Sequence, residues 1–600
     1  MQLRWIAEYH GPNPYALSPV VVAELAGVSD QMSNDWATLA ASRLEEVFPV
    51  GLPGLIGSSV TCGGDGGKLL ASVAVRWALA VLNEVRGCLF DGDVLRQDGK
   101  IYIWIGFHHA SLSRDVLQLA LKLAWGSAQK KLNKLIVLEA LDRIWKSCRQ
   151  HHPDYQARIL MVGARKMGVP YLPFVPGSKY WQFGWGENSQ IFFESSSNAD
   201  GFVAGKLQRD KALAKEVMVS LGMPTPLYLR VAHEHELEPA VARIGYPCVL
   251  KPVDGGGGKG VTANISDIET LRAAYAYARR FSDRPLVLEQ HVPGMDHRLM
   301  VIDGRLVAAI RREPSFVVGD GSSTVAELLA DLNRDRSRNL TRSRYLRPIP
   351  QDEVLVRHLA TQGLRLSDVL EEGRRVSLRS NANLSTGGVC TDMTEVLNPQ
   401  VRAMAEQFAL SLGLATAGLD YLTTDITRSP GEVGGSFIEL NSTPGLDACI
   451  AAGWSEESIA TQVLRTTLGR IAVELCLVAP ETLDRRMAEM RLGELEPDQG
   501  WVCGESLHIG SAVLHGEAVR SWGAVNAALR NRRLRRLRVL CTPEEIMQRG
   551  LPVDQLSSVE MEEVTLPDEW LKVVDKCLVR CSQVKLGDDP EPASVERIFR

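Results

Sequence analysis

The segment from Gly434 to Gly445 constrains the fold most, because it reads as an apolar strand that carries two polar side chains. Within it, Glu439 and Asn441 stand two positions apart. Residues i and i+2 of a strand point to the same face, so a carboxylate and an amide oxygen converge there. Oxygen ligands of this kind suit Mg²⁺, and the pair therefore predicts a metal site on a strand.

An earlier strand is expected to supply a third metal ligand. Asp420 ends an apolar stretch nineteen residues before Glu439, a spacing consistent with two adjacent antiparallel strands. Asp425, a few residues further along, is the alternative ligand. Taken alone, Glu439 would more often be an ordinary strand carboxylate, and only the full set of spacings favours a metal.

Two lysines and a glycine-rich stretch predict a phosphate site. Lys251 stands at a strand end, directly before a run that includes Gly257 and Gly258, whose backbone amides can fold over a triphosphate. Lys211, in the sequence Arg-Asp-Lys-Ala-Leu-Ala-Lys, is the second phosphate candidate. Either lysine alone is more often a surface residue. Together with the metal strand, these features indicate an enzyme that activates carboxylates with ATP and Mg²⁺.

The stretch from 285 to 299 predicts contacts to the rest of the nucleotide. An apolar strand leads to Glu289, which could accept from the adenine amino group, and to Val292, whose backbone could contact the ring edge. Asp296 could accept from the ribose. Arg298 could stabilise the charge that develops on a transferring phosphoryl group. A hinge with routine surface charges is an equally good interpretation of the spacing alone.

A polar loop between 381 and 388 predicts a substrate contact. Hydroxyl, amide and glycine residues of this kind can bind a carboxylate or phosphate through backbone and side-chain donors. The candidate residues are Asn383, Ser385, Thr386, Gly387 and Gly388. We group Ser385 with Arg298 and Lys251 as catalytic candidates. As a bare turn the loop would be unremarkable.

Length and composition predict several domains and few classes of partner. Six hundred residues exceed one core, and we expect domains at 1–160, 161–470 and 471–600. The net charge of −5 gives no global argument for a nucleic-acid partner. Eleven cysteines without paired metal spacing are typical of a reduced compartment, and no apolar run reaches membrane-spanning length. We therefore expect a cytoplasmic protein with no membrane partner.

These motifs, in this order, resemble the ATP-grasp superfamily and, more closely, the cyanophycin synthetase family. The likeness runs from about 157 to 468 and includes Pro-Gly-Met-Asp-His-Arg-Leu at 293–299 and Arg-Ser-Asn-Ala-Asn-Leu-Ser-Thr-Gly-Gly at 379–388. The resemblance implies a multidomain α/β fold: an ATP-grasp core, an α/β N-terminal domain and a truncated Mur-ligase-like C-terminal α/β domain. It also implies ATP and Mg²⁺ as cofactors and a homo-oligomer, with a dimer favoured.

The C-terminal segment departs from the usual pattern of that family. Its members carry a Mur-ligase-like domain with its own phosphate loop, whereas residues 465 to 510 contain no such loop here. This departure resembles the second type of cyanophycin synthetase, which polymerises β-aspartyl-arginine dipeptides. We expect residues 471–600 to be kept for packing or subunit contact. The residues expected inside their core are Leu507, Ile509, Val513, Val539 and Leu540.

Three functions follow as hypotheses. The first is an ATP-dependent ligase that adds β-Asp-Arg to the C-terminus of a cyanophycin chain or primer. The second is the same chemistry on a different amine or isopeptide, because Gly256 and Gly257 replace a polar Asn-His pair that is common in the family. The third and least favoured is a non-catalytic, nucleotide-binding scaffold of storage granules.

Overall fold

The computed structural model describes residues 2–27, 34–50, 65–125, 134–207, 210–254, 258–338, 348–515 and 522–579. The chain forms two compact units. Unit 1 comprises Met1–Ile191 and Thr466–Arg600, and unit 2 comprises Phe192–Arg465. This division differs from the three expected segments, since the first and last segments share one unit. The expected boundary at 160 falls inside the helix Tyr155–Met167, which Asp154 caps at its N-terminus.

The N-terminal part of unit 1 is an antiparallel sheet packed against helices. Its strands, in the spatial order β1-β2-β4-β3, are β1 (Gln2–Tyr9), β2 (Val20–Ala26), β3 (Gly92–Gln97) and β4 (Lys100–Gly106). The helices are Asn34–Val47, Gly66–Glu84, Ala110–Trp125, Lys134–His151 and Tyr155–Met167. Trp77 is fully buried in their common core. Four short strands follow in the chain: β5 (Tyr171–Pro173) and β6 (Tyr180–Phe183) lie in unit 1, β7 (Gln190–Phe193) crosses the boundary at Ile191, and β8 (Ser196–Ser197) lies in unit 2.

Unit 2 contains two larger sheets. The first, in the order β11-β10-β12-β9, consists of β9 (Tyr228–Val231), β10 (Cys248–Pro252), β11 (Thr262–Ile265) and β12 (Leu286–Gln290). The second, in the order β17-β14-β13-β18-β19, consists of β13 (Met295–Ile302), β14 (Arg305–Glu313), β17 (Val389–Asp392), β18 (Thr416–Thr423) and β19 (Ser436–Asn441). Every pairing within these two sheets is antiparallel. β15 (Phe316–Val318) and β16 (Arg375–Ser377) form a separate pair.

Helices pack on both sheets of unit 2 and complete two apolar cores. Leu250 and Leu288 are fully buried in the first core, and Phe408 and Phe437 are buried in the second. The helices of unit 2 are Phe202–Leu207, Lys211–Ser220, Leu237–Ile244, Ile268–Ala278, Val325–Arg338, Glu353–Thr361, Pro399–Leu412, Pro430–Val433, Asp447–Ala451 and Glu456–Val463. Two of them, Val325–Arg338 and Glu353–Thr361, belong to a third apolar core with β15 and β16. The two cores hold the facing strand ends in place, which is where the predicted site residues lie.

The C-terminal part of unit 1 is a six-stranded sheet in the order β23-β22-β21-β24-β20-β25. Its strands are β20 (Ala472–Val478), β21 (Gln499–Cys503), β22 (Ser506–Ile509), β23 (Ala512–His515), β24 (Arg536–Cys541) and β25 (Ser558–Glu562). Its helices are Pro480–Leu492, Gly523–Leu529, Pro543–Arg549 and Asp568–Cys577. The strands β21, β24, β20 and β25 run parallel, whereas β22 and β23 are antiparallel to their neighbours.

Four of the five residues expected in this C-terminal core are buried: Leu507, Ile509, Val539 and Leu540. The expectation for Val513 is wrong, because 59% of its surface is exposed. It lies on β23, the edge strand of the sheet, which has a neighbour on only one side.

The two parts of unit 1 are joined by close backbone and aromatic contacts. The amide of His10 donates to the carbonyl of Arg549 at 2.8 Å, and the amide of Leu551 donates to the carbonyl of Pro12 at 2.8 Å. The rings of Tyr9 and Trp570 meet edge to face at 5.7 Å. These contacts support the expectation that the C-terminal segment serves packing. Among the described residues, no helix is both long and apolar enough to cross a bilayer.

Candidate active site

A cavity of about 260 Å³ in unit 2 gathers most of the predicted nucleotide residues. Residues of both larger sheets line it. The predicted residues among them are Lys211, Lys251, Gly258, Glu289, Val292 and Glu439. Asp296 is absent from the lining, and Gly257 lies outside the described residues. Phosphate and adenine-side candidates therefore line one cavity together with Glu439, and the roles expected for them stay predictions.

Glu289 holds two lysine ammonium groups beneath this cavity. Its Oε1 atom accepts from Lys251 Nζ at 2.6 Å, and its Oε2 atom lies 2.7 Å from Lys215 Nζ. All three residues are buried. Burial raises the pKa of Glu289, but the two ammonium groups outweigh burial and hold that pKa below its ordinary value. The predicted adenine contact of Glu289 stays a prediction, since both of its oxygens are engaged by lysines.

Lys215 was not among the residues predicted from the sequence. It lies one helical turn after Lys211, on a helix that begins at Lys211 because Asp210 accepts hydrogen bonds from the amides of Ala212 and Leu213. The spacing i, i+4 places both lysines on the same side of this helix. That spacing is the signal in the sequence that could have identified Lys215.

Lys211 and Glu439 form the second ion pair of the cavity. Lys211 Nζ donates to Glu439 Oε1 at 2.6 Å, and both residues line the cavity. A phosphate candidate and a metal candidate thus neutralise each other. Binding of a magnesium-bound phosphate chain would supply both with new partners of opposite charge.

Arg298 belongs to a network of two arginines and two aspartates. Its Nε atom donates to Asp420 Oδ1 at 2.7 Å, and Arg312 Nη2 lies 3.0 Å from Asp420 Oδ2. Arg312 Nη2 also donates to both carboxylate oxygens of Asp296, at 2.8 and 2.7 Å. Burial raises the pKa of Asp420, but the two guanidinium groups outweigh it and hold that pKa below its ordinary value.

The predicted ribose contact of Asp296 stays a prediction. Its carboxylate is bound by Arg312, a residue that the sequence alone did not single out. The next strand makes room for Arg298, because Gly418 carries no side chain. A Cβ at Gly418 would lie 2.9 Å from Arg298 Nη1 and 2.6 Å from Pro444 Cβ.

The predicted metal ligands lie on neighbouring strands, as expected. Strands β18 and β19 are antiparallel, and Asp420 stands opposite Glu439 in their register. Asn441 follows on the same strand as Glu439, and its Nδ2 atom is buried without a hydrogen-bond partner. Two carboxylates and one amide oxygen are a suitable donor set for Mg²⁺. Within the described ranges, no group of three or more His, Cys, Asp or Glu side chains is placed to hold a metal.

Asp425, the alternative third ligand, occupies a different environment. It lies beyond the end of β18, where its Oδ1 atom accepts from the amide and the hydroxyl of Thr427 at 2.9 and 2.7 Å. These hydrogen bonds make it a local turn residue. The register of β18 and β19 therefore favours Asp420 over Asp425 as the partner of Glu439.

The polar loop at 381–388 forms a compact turn. Leu384–Thr386 is a single turn of 3-10 helix, and Gly387 ends it in the left-handed conformation with φ 87°. A Cβ at Gly388 would lie 2.3 Å from the carbonyl oxygen of Ala382, so only glycine fits there. The hydroxyl of Thr386 donates within the loop, to Asn381 Oδ1 at 2.5 Å.

Asn383 is the loop residue that approaches the glycine-rich segment. A Cβ placed on Gly258 would lie 3.8 Å from Asn383 Nδ2. The backbone of Ser385 lies in the 3-10 turn, and its side chain is outside what the structure describes. The loop therefore stands next to the cavity, and its predicted substrate contacts stay predictions.

Comparison with known proteins identifies the class of this domain. Residues 216–305 match the ATP-grasp domain family. The chain therefore contains an ATP-grasp domain, and the predicted α/β fold with an ATP-grasp core is confirmed. The likeness of residues 471–600 to a Mur ligase stays a prediction.

About half of the chain is similar to cyanophycin synthetases. The protein of that name from Nostoc sp. is 35% identical over 289 residues, which are 48% of this chain and 32% of the relative. The one from Geminocystis herdmanii is 38% identical over 272 residues, 45% of this chain and 31% of the relative. Each match thus spans about a third of the relative's own length.

Glutathione-forming proteins are more distant relatives. The glutathione biosynthesis bifunctional protein GshAB from Streptococcus mutans is 30% identical over 270 residues, 43% of this chain and 35% of the relative. Among solved structures, a bifunctional glutathione synthetase from Pasteurella multocida is 20% identical and has a TM-score of 0.41. The similarity covers 58% of this chain and 50% of the chain in that structure.

Proposed function

We propose that this protein is an ATP-dependent carboxylate–amine ligase that extends the C-terminus of cyanophycin with β-Asp-Arg dipeptides. One observation carries the ligase class: Lys211, Lys251 and Glu439, the phosphate and metal candidates, line a single cavity of an ATP-grasp domain. The substrate is inferred from the similarity to proteins named cyanophycin synthetase. A cytoplasmic homodimer is the expected assembly.

The residues of the cavity divide the chemical tasks among them. ATP with Mg²⁺ supplies the phosphoryl group that turns an unreactive carboxylate into an acyl phosphate open to attack by an amine. Lys211 and Lys251 would bind the phosphates, while Asp420, Glu439 and Asn441 would hold the metal. Arg298 and the loop at 383–388 would act on the reacting carboxylate and on the acceptor.

Arg298 would stabilise negative charge at the reacting centre, because its guanidinium is already held in place by Asp420. The loop at 383–388 would position the acceptor carboxylate through its polar side chains, while Gly387 and Gly388 shape the turn by donating their amides to the carbonyls of Leu384 and Asn383. Both tasks depend on groups that are held before substrate arrives, so little reorganisation is needed during reaction.

Elongation of a primer tests the proposal directly. Purified protein is supplied with ATP, Mg²⁺, a short cyanophycin primer and β-Asp-Arg, and the product is followed by mass spectrometry and by phosphate release. We expect the primer to grow by whole dipeptide units. A correctly folded protein that does not lengthen the primer would contradict the proposed polymerisation. Free arginine with aspartate should not be incorporated.

A ligase that uses another amine is the second candidate. The observation that favours it is the run Asp254 to Gly258, in which Gly256 and Gly257 stand where the family commonly has Asn-His. A panel of amines and isopeptides with the same primer separates the two candidates, since a clear preference for another amine would select this one. Phosphate release that depends on the primer would exclude the third hypothesis, a non-catalytic granule scaffold.

A further inference from the structure

Two lysines share one buried carboxylate, but only one of them reaches the cavity. Lys251 lines the cavity wall, whereas Lys215 is 0% exposed and is absent from the lining. Glu289 lies between them with 3% of its surface exposed. The two ion pairs are equally short, at 2.6 and 2.7 Å. One cation of this trio is therefore placed to reach a ligand, and the other is not.

A buried carboxylate that loses its cation is strongly destabilised, because neither water nor a counter-ion replaces the lost partner. If Lys251 turns to a phosphate, Glu289 loses the ion pair on Oε1 but keeps the pair with Lys215 on Oε2. We propose that Lys215 is a positioning residue that keeps Glu289 paired, so that Lys251 can leave the carboxylate for the nucleotide. This inference rests on the nucleotide binding proposed above.

The pair of Lys211 and Glu439 differs from the pair of Lys251 and Glu289, because only Glu289 needs a second lysine to stay paired when the nucleotide binds. Glu439 is a metal candidate with 33% of its side chain exposed, so a magnesium-bound phosphate chain can provide a new partner for it and for Lys211. Glu289 also borders the cavity, but only 4% of its side chain is exposed. Glu289 is predicted to meet no cation of the ligand. Its only replacement for Lys251 is a second cation from the protein, and Lys215 is that cation.

The surroundings of Lys215 suit a permanent partner of Glu289. Its Nζ atom donates to the hydroxyl of Thr225 at 3.2 Å and lies 5.7 Å from the ring centre of Tyr228. Burial and the neighbouring Lys251 ammonium lower the pKa of Lys215 to about 8, against the opposing effects of Glu289 and Glu439. Lys215 therefore carries its charge at pH 7. Departure of Lys251 would remove one of the groups that lower this pKa.

Calorimetric titration of four proteins with Mg²⁺ and adenylyl imidodiphosphate tests the proposal at pH 7. The proteins are the wild type, Lys215→Met, Glu289→Gln and the double variant, and Lys215→Arg is added as a fifth that keeps the charge. Each titration is run in two buffers of different ionisation enthalpy, which gives the number of protons taken up on binding. Differences from the wild type cancel protons that the nucleotide itself gains or loses.

We expect Lys215→Met to bind the nucleotide at least about tenfold more weakly than the wild type, because binding leaves Glu289 without a cation. We also expect it to take up about one more proton, since Glu289 must then be neutralised. Lys215→Arg, which keeps the charge, should restore most of the affinity. A general loss of packing would weaken binding without this extra proton.

The double variant provides the matched control. If Lys215 acts through Glu289, the double variant should bind as Glu289→Gln does. This comparison still decides the matter if Lys215→Met fails to fold. The proposal is overturned if the double variant binds tenfold more weakly than Glu289→Gln, or if Lys215→Met matches the wild type in affinity and proton uptake. Failure of the wild type to bind the nucleotide would instead contradict the proposed function.

Discussion

The ammonium of Lys211 and the carboxylate of Glu439 are 2.6 Å apart, although 228 positions separate them in the chain. One of them begins a helix and the other lies on strand β19. Folding thus joins the residue expected to bind phosphate to the residue expected to bind metal. The same contact makes Glu439 the most informative single position for testing the metal site.

We expect Glu439→Gln to lower turnover at least roughly a hundredfold, because it removes a negative charge from the predicted Mg²⁺ site. Phosphate release at saturating primer and dipeptide measures the effect, and a magnesium titration shows whether the metal requirement rises. Asp425→Asn is the matched control, since the Asp425 carboxylate accepts from the amide and hydroxyl of Thr427 in the turn after β18. A loss in the control, with normal turnover in Glu439→Gln, would place the metal at Asp425.

Gly418→Ala should reduce turnover by about ten- to a hundredfold, because the added methyl group would displace the guanidinium of Arg298. Its contact with Pro444 should also cost about 1–3 kcal/mol of stability. Turnover and urea denaturation measure the two effects. At Gly431 an added Cβ would meet nothing within 4 Å, so Gly431→Ala should change neither quantity. Normal turnover in Gly418→Ala would argue against a role for Arg298 in catalysis.

The C-terminal sheet offers two leucines that differ in burial. Leu540 on β24 is 1% exposed, and Leu514 on the edge strand β23 is 46% exposed. We expect Leu540→Ala to lower the free energy of unfolding by about 2–5 kcal/mol. Leu514→Ala should change it by less than about 0.5 kcal/mol. Urea denaturation followed by circular dichroism compares them, and equal losses would contradict the assigned core.

Stability should fall in mild acid because of two buried histidines in unit 1. The ring of His108 lies 5.5 Å from that of His152, and burial lowers the pKa of both. For His152 the pKa falls to about 3, from an ordinary value of 6.5. Below pH 6.5 the unfolded chain therefore binds protons that the folded chain does not, and each such site costs about 1.4 kcal/mol per pH unit.

His152→Asn should remove about one such site while keeping a donor toward the carbonyl of Val85, which His152 Nδ1 meets at 2.7 Å. Denaturation midpoints between pH 7.5 and pH 4.5 give the slope of stability against pH. We expect a shallower slope for this variant and an unchanged slope for His235→Asn, which alters an exposed residue. An equally steep slope in both variants would show that His152 does not titrate on unfolding.

Local patterns predicted well on which strands the candidate metal ligands lie. The alternation of side chains along a strand placed Glu439 and Asn441 on one face, and a short spacing placed Asp420 on the neighbouring strand. Such features depend on a few adjacent residues. Val513 shows the limit of this reasoning, because burial on an edge strand depends on what covers it.

The contacts that hold the site residues in place could not be read from the sequence, although its spacing from Lys211 could have drawn attention to Lys215 itself. Arg312 bonds Asp420, and Lys215 pairs with Glu289, across long stretches of chain. An arginine or a buried lysine gives no sign of its partner in the sequence, since the partner is set by how strands and helices pack. The sequence thus predicts the groups that would touch a ligand better than the groups that position them.

Because residues 192–465 intervene, unit 1 has a discontinuous backbone, and this has a consequence for synthesis in the cell. Tyr9 cannot contact Trp570, its edge-to-face partner, until the ribosome has translated Trp570. A ribosome adding roughly 5–20 residues per second takes about half a minute to two minutes to travel between them. During that interval the first sheet has an uncovered aromatic flank, which makes the nascent chain a natural client for molecular chaperones.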